Sequence, residues 1–165
     1  MSDTSVAHSV ATGRQMVIAR MSEWLQAGQR VWLCTIVETW GSSPRPVGSW
    51  LAIAESGHWS GSVSGGCLEE DLLRRTAEDG PDHPVFVDYG ITDDDRDHFQ
   101  LPCGGRIRLL VEPFQGQSGL DHVNALAGAL RDREPVVRRV PLKGIVALER
   151  AAVRAGKAVS FDGEK

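Results

Sequence analysis

Val31-Trp32-Leu33-Cys34-Thr35-Ile36-Val37 is an apolar run rich in β-branched residues. A strand with one wet face alternates apolar and polar side chains. This run does not, so it reads as a strand buried on both faces. Cys34 lies inside it and reads as a core thiol. Just upstream, Val17, Ile18, Met21, Trp24 and Leu25 recur at i, i+1, i+4, i+7 and i+8. That is the stripe of an amphipathic helix, which Ala27-Gly28 is placed to end because glycine suits a helix C-cap.

Downstream the pattern alternates. Thr39 to Gly48 holds two prolines and two glycines and reads as a loop. Ser49 to Ala54 resumes as a strand, and Gly57 turns a hairpin before Trp59. A helix is expected over about Cys67 to Glu78, with Leu68, Leu72, Leu73 and Ala77 inward and Gly80-Pro81 as its stop. Val85 to Tyr89 reads as a strand, as does Ile107 to Val111, the latter closed by Glu112-Pro113. Val123, Leu126, Ala127 and Leu130 mark another amphipathic helix, and Val136 to Val140 a strand. Ile145 to Ala155 is ambiguous, with a composition that favours helix. Thr92 to Asp97 reads as a solvated acidic loop without the spaced ligands of an EF-hand.

Hairpin-like spacings between helices predict an α/β fold: a single mixed-sheet domain with flanking helices over residues 14–165. Residues 1–13, polar and small, are expected to be a disordered start.

Composition excludes several classes. With 41% hydrophobic and 24% charged residues the chain is ordinary globular sequence. A net charge of -4 argues against a general nucleic-acid binder, which needs a Lys/Arg surplus. No apolar run approaches the roughly 20 residues of a membrane span, and the start lacks the apolar core of a secretory signal. Cys34, Cys67 and Cys103 form no CxxC pair, so reduced thiols and a cytoplasmic location are expected. His8, His58, His83, His98 and His122 show no HxxxH or HxH spacing.

Two segments carry chemistry: Gly61-Ser62-Val63-Ser64-Gly65-Gly66-Cys67-Leu68-Glu69 and Leu101-Pro102-Cys103-Gly104-Gly105. Each sets a cysteine beside a Gly-Gly pair. Glycine lets the backbone approach a ligand closely, and a thiolate is a nucleophile and a soft metal ligand. In the first segment a strand, a Ser/Gly turn and a helix start aim free N–H groups at one point, an anion-binding arrangement. Cys67 would sit at the positive end of the helix dipole. The alternative is a serine-capped helix with a tight turn. Glu69, Glu70 and Asp71 follow on different faces of that helix. Glu69 reads as a site acid, Glu70 and Asp71 as solvent-facing. Cys103, between proline and Gly-Gly, reads as functional. Arg45, between two prolines, reads as an anion clamp.

Together, Trp40-Gly41-Ser42-Ser43-Pro44-Arg45-Pro46-Val47-Gly48, the Gly61–Glu69 segment, Cys103-Gly104-Gly105 and Val111-Glu112-Pro113 resemble, in order and spacing, the amino-terminal domain of the XdhC/CoxI family. The resemblance covers about Met16 to Pro113. It implies an accessory chaperone rather than a hydroxylase. Such a protein binds molybdenum cofactor, helps its sulfuration with a cysteine desulfurase, and delivers it to the apoenzyme of a xanthine dehydrogenase or CO dehydrogenase type molybdenum hydroxylase. A homodimer is compatible with it. The implied cofactor-binding set is Ser43, Arg45, Ser64, Gly65, Gly66, Cys67, Glu69, Cys103, Gly104 and Gly105. Within it, Cys103 would meet molybdenum, Arg45 and the Gly61–Gly66 amides the phosphate, and Glu69 the pterin edge. The sequence departs from many family members in showing no carboxy-terminal Rossmann-like domain. Two other readings stand beside this one: a thiol-dependent transferase or hydrolase using Cys67 or Cys103, and a docking module for a hydroxylase subunit presenting Trp40, Trp50 and Trp59.

Overall fold

The computed structural model describes residues 13–41, 45–64, 67–90, 105–140 and 147–150, of which 67 and 147–150 by backbone alone. Along the chain run α1 (Gly13–Gln26), β1 (Val31–Trp40), β2 (Trp50–Ala54), β3 (Trp59–Gly61), α2 (Cys67–Asp79), β4 (Val85–Tyr89), β5 (Arg106–Phe114), α3 (Gly116–Arg131), β6 (Val136–Arg139) and β7 (Ala147–Arg150). β1 to β5 form one sheet in the order β3-β2-β1-β5-β4, and β6 pairs with β7. The α/β architecture with flanking helices is the expected one. Every described strand pair is antiparallel.

The central strand explains the unbroken apolar run. Trp32, Cys34 and Ile36 point to one face and meet Leu68 and Leu72 of α2. Val31 and Leu33 point to the other face, against Val17, Ile18, Met21 and Trp24 of α1 and Val123 and Leu126 of α3. Burial of both faces is the dominant stabilising term, at about 25 cal/mol per Å² of apolar surface. α1 ends as glycine predicts. Gly28 has φ +82, its N–H donates to Leu25, and the Gln29 N–H reaches Trp24 in a Schellman closure.

Three expectations need correction. β1 runs on to Trp40 rather than stopping at Val37, because a bulge between Ile36 and Glu38 lets it keep pairing with β5 as far as Arg106. β5 is not closed by Glu112-Pro113 and continues to Phe114. The last β4 partner is Val85 opposite Val111, so Pro113 stands where β5 has outrun β4. A proline there leaves no β4 ladder bond unmade. The helix-favouring 145–155 region contains a strand at 147–150, paired with β6. Its remaining residues lie outside the described ones.

Candidate functional site

Register places the motifs. Trp40 of β1 is opposite Arg106 of β5, Thr35 opposite Trp50, Leu51 opposite Gly61, and Tyr89 opposite Ile107. The exit of β1, the entry of β2, the exit of β3, the exit of β4 and the entry of β5 therefore share one end of the sheet. The described parts of the proline loop and of the two thiol-bearing segments, 61–64 and Gly105, lie at that end, and α2 starts there.

Gly61 needs its glycine. Its φ is +96, and a Cβ would lie 2.2 Å from the Trp50 carbonyl oxygen. The next N–H, of Ser62, donates to that same oxygen at 2.9 Å. Ser62 and Ser64 then turn toward Glu69. The buried Glu69 carboxylate accepts the Ser62 hydroxyl at 2.9 Å, the Val63 N–H at 3.3 Å and the Ser64 N–H at 3.4 Å. It also accepts the Ser64 hydroxyl. Ser64 Oγ in turn accepts the Leu68 N–H at 2.8 Å. Serine satisfies a helix N–H while a carboxylate reaches back to the serine's own amide, the reciprocity of a capping box. Burial pushes the Glu69 carboxyl up, but the hydroxyls of Ser64 and Ser62 and the backbone donors outweigh it and hold it below its ordinary range.

Arg45 joins this cluster across 17 residues, its Nε donating to Ser62 Oγ at 3.3 Å. Its loop is tied at the base by the Ser49 hydroxyl on the Pro46 carbonyl at 2.7 Å and the Gly48 N–H on the Ile36 carbonyl at 2.8 Å. Arg45, Ser64 and Glu69 are thus brought together, with Ser62 linking them. Gly105 is buried against two other glycines: a Cβ at Gly90 would fall 2.4 Å from its carbonyl oxygen, and one at Gly41 3.6 Å from its Cα. Ser43, Gly65, Gly66, Cys103 and Gly104 lie outside the described residues, as does the side chain of Cys67, whose backbone opens α2. The acidic 92–97 loop and His98 lie outside them too.

Asp71 is not solvent-facing. It is 3% exposed. It accepts the Tyr89 hydroxyl at 2.5 Å, Arg74 at 2.6 Å and Arg75 Nε at 2.7 Å. Burial raises its pKa, but the Tyr89 hydroxyl and the two guanidiniums hold it down. Tyr89, buried and bonded to a carboxylate, is pushed well up. The pair ties α2 to the end of β4. The spacing offered a signal: Asp71 follows Leu68 by three positions and so shares its inward face.

Sequence reasoning also missed Arg106, next to Gly105. Its guanidinium lies 4.6 Å over the Trp40 ring, and Arg108 lies 5.8 Å over the same ring. Cys34 is fully buried, and burial together with the Glu112 charge pushes its thiol to about 12. A thiol so protonated is a core residue, as read from sequence. Among the described residues no group of three or more His, Cys, Asp or Glu side chains is placed to hold a metal. None of the described helices is long and apolar enough to cross a membrane. A cavity of about 650 Å³ lies at the opposite end of the sheet, by Arg30, Arg75, Pro81 and His83.

Residues 24–90 match the profile of the XdhC and CoxI family. That segment is similar to the XdhC and CoxI family. The matched segment holds Arg45, Ser62, Ser64, Glu69, Asp71 and Tyr89, and it ends at Gly90. Over 117 residues the chain is 32% identical to the molybdenum cofactor insertion chaperone PaoD of Escherichia coli (strain K12). That match covers 69% of this chain and 35% of PaoD, so the chain spans about a third of its relative's length. The fold is similar to that of a chain from Bacillus halodurans solved as a xanthine dehydrogenase, with TM-score 0.58 at 23% identity over 84% of this chain and 46% of that one.

Proposed function

We propose that this chain is a cytoplasmic accessory chaperone. It takes molybdenum cofactor as cargo, helps its sulfuration beside a cysteine desulfurase, and passes it to the apoenzyme of a xanthine dehydrogenase or CO dehydrogenase type hydroxylase. The observation that carries this reading is the 32% identity, over 117 residues, to a protein named for molybdenum cofactor insertion. The convergence of the motif segments on one sheet end supports it.

The donor chemistry fits such a cargo. A phosphate wants several N–H and O–H donors on a backbone that allows close approach. Arg45 and Ser62 meet at this end, whereas the Ser62, Val63 and Ser64 N–H groups are already taken by the Trp50 carbonyl and the Glu69 carboxylate. In this account Arg45, Ser43 and the Gly65 and Gly66 amides take the phosphate, Ser64 and Glu69 hold the turn before them in shape, and Cys103, flanked by Gly104 and Gly105, meets the molybdenum as a soft ligand. Cys67 is the second thiol of the site. The cargo supplies redox chemistry to the client enzyme. The chain binds it, shields it and releases it.

The test is to mix the folded chain with molybdenum cofactor under anaerobic, reducing conditions and to quantify molybdenum and pterin that co-elute on gel filtration. Retention near one equivalent, weakened in Cys103→Ala, is expected. Equal retention and transfer by Cys103→Ala would remove that thiol from the account.

A further inference from the structure

We propose that Arg106 is an anion-recognising residue of this sheet end, holding a phosphate group of the ligand with its guanidinium edge while Trp40 supports its face. The inference rests on the reading that a phosphate-bearing molecule binds here.

Three observations carry it. First, the Arg106 Nε is buried, and among the described residues it has no hydrogen-bond partner. A buried donor left unsatisfied costs about 1–3 kcal/mol, and a folded protein that keeps one calls for a reason. Second, the donor belongs to a preoriented group. Its Cζ lies over the Trp40 ring, 4.6 Å from the centroid, and a planar guanidinium makes its hydrogen bonds in its own plane. Its neighbour Arg108 is already engaged, by Asp88 at 2.7 Å and Glu38 at 3.9 Å. Third, Arg106 enters β5 beside Gly105, where the Gly41 and Gly90 backbones crowd in. Among the described residues, glycine backbone lies on one side of Arg106, and Arg45 stands on the proline loop at the same sheet end. A tetrahedral anion can use several such donors at once. A lone carboxylate uses fewer.

The probe is inorganic phosphate on the uniformly ¹⁵N-labelled full chain. The Arg106 Nε–Hε signal is assigned by its disappearance in Arg106→Gln and Arg106→Lys. A saturable shift with a dissociation constant on the order of 1 mM is expected with phosphate, and no such shift with acetate or chloride at equal ionic strength. No shift in a well-dispersed spectrum would overturn the inference. So would an equal shift with acetate, which would point to a carboxylate-bearing partner protein instead.

Cofactor retention separates this inference from the carrier reading. Arg106→Gln is expected to retain about tenfold less cofactor, with Arg106→Lys in between because it keeps charge but loses the fork. If wild type and Arg106→Gln retain cofactor equally, Arg106 is overturned and the carrier reading stands. If phosphate shifts Arg106 but wild type retains no cofactor, the anion site stands and the carrier reading falls. Arg106→Lys, checked by circular dichroism, serves if Arg106→Gln fails to fold.

Discussion

Asp71→Asn keeps the shape of the side chain and removes its charge, so it isolates what that buried carboxylate contributes. The Tyr89 hydroxyl at 2.5 Å changes from a charge-assisted to a neutral partner, a loss of about 1 kcal/mol. The Arg75 ion pair is discounted because Arg75 is 39% exposed, and it is worth about 1 kcal/mol, while Arg74, 59% exposed, adds little. The expected cost is therefore about 2 kcal/mol at pH 7, or a shift of about 1 M in a urea midpoint. The sign with pH follows from the direction of the shift. Asp71 has a folded pKa below its unfolded one. Its contribution is full above the unfolded value of about 3.9 and is lost as pH falls through the folded value. Urea melts of wild type and Asp71→Asn should thus differ at pH 7, and the difference should shrink as pH falls below the unfolded value. A Tyr89→Phe cycle should show coupling of about 1 kcal/mol. A difference under about 0.5 kcal/mol at pH 7, or one that persists unchanged in acid, would refute the reasoning.

Other expectations follow from the same geometry. Gly61→Ala should lower stability by about 2 kcal/mol or more, because a Cβ would strike the Trp50 carbonyl at a φ of +96; an unchanged thermal melt would contradict this. His122 is held neutral, its pKa lowered to about 4 by burial and by the Arg138 charge. The unfolded chain takes up that proton below about 6.5, so stability should fall by about 2 kcal/mol between pH 7 and pH 5, and His122→Phe should flatten that slope. Arg138 bonds the fully buried Glu112 through two contacts of 2.9 Å. Arg138→Met should cost about 3–5 kcal/mol in a urea melt, and adding Glu112→Met should recover most of it.

Much of the fold was legible because hydrophobic periodicity reports burial directly. The Val31–Val37 run told of two covered faces, and the Val17–Leu25 stripe told of the helix covering one. What periodicity cannot report is where a strand stops when a bulge or a shorter neighbour changes the rule. Trp40 extends β1 past the Val37 bulge, and Pro113 is harmless only because β4 is short. The 147–150 strand exists through its pairing with β6, a tertiary effect that local composition does not carry. At the site, the Gly-rich turns, Arg45 and Glu69 announced themselves by residue type. The Arg45–Ser62 contact depends on the register of β2 and β3. Trp40 meets Arg106 because β1 and β5 are neighbours, a pairing between residues 66 positions apart by subtraction of their numbers. Asp71 was misread because three adjacent acids look like a solvated face, although its spacing from Leu68 pointed inward.

The claim that cargo binds at the end of the sheet where the motifs converge is tested most directly by hydrogen–deuterium exchange of the folded chain with and without molybdenum cofactor. The account predicts slowed exchange in peptides covering 41–49, 61–69 and 105–106, with peptides around Arg30 and 80–83 at the opposite end unchanged. Protection confined to that opposite end, or no protection in a chain that retains the cofactor, would contradict it.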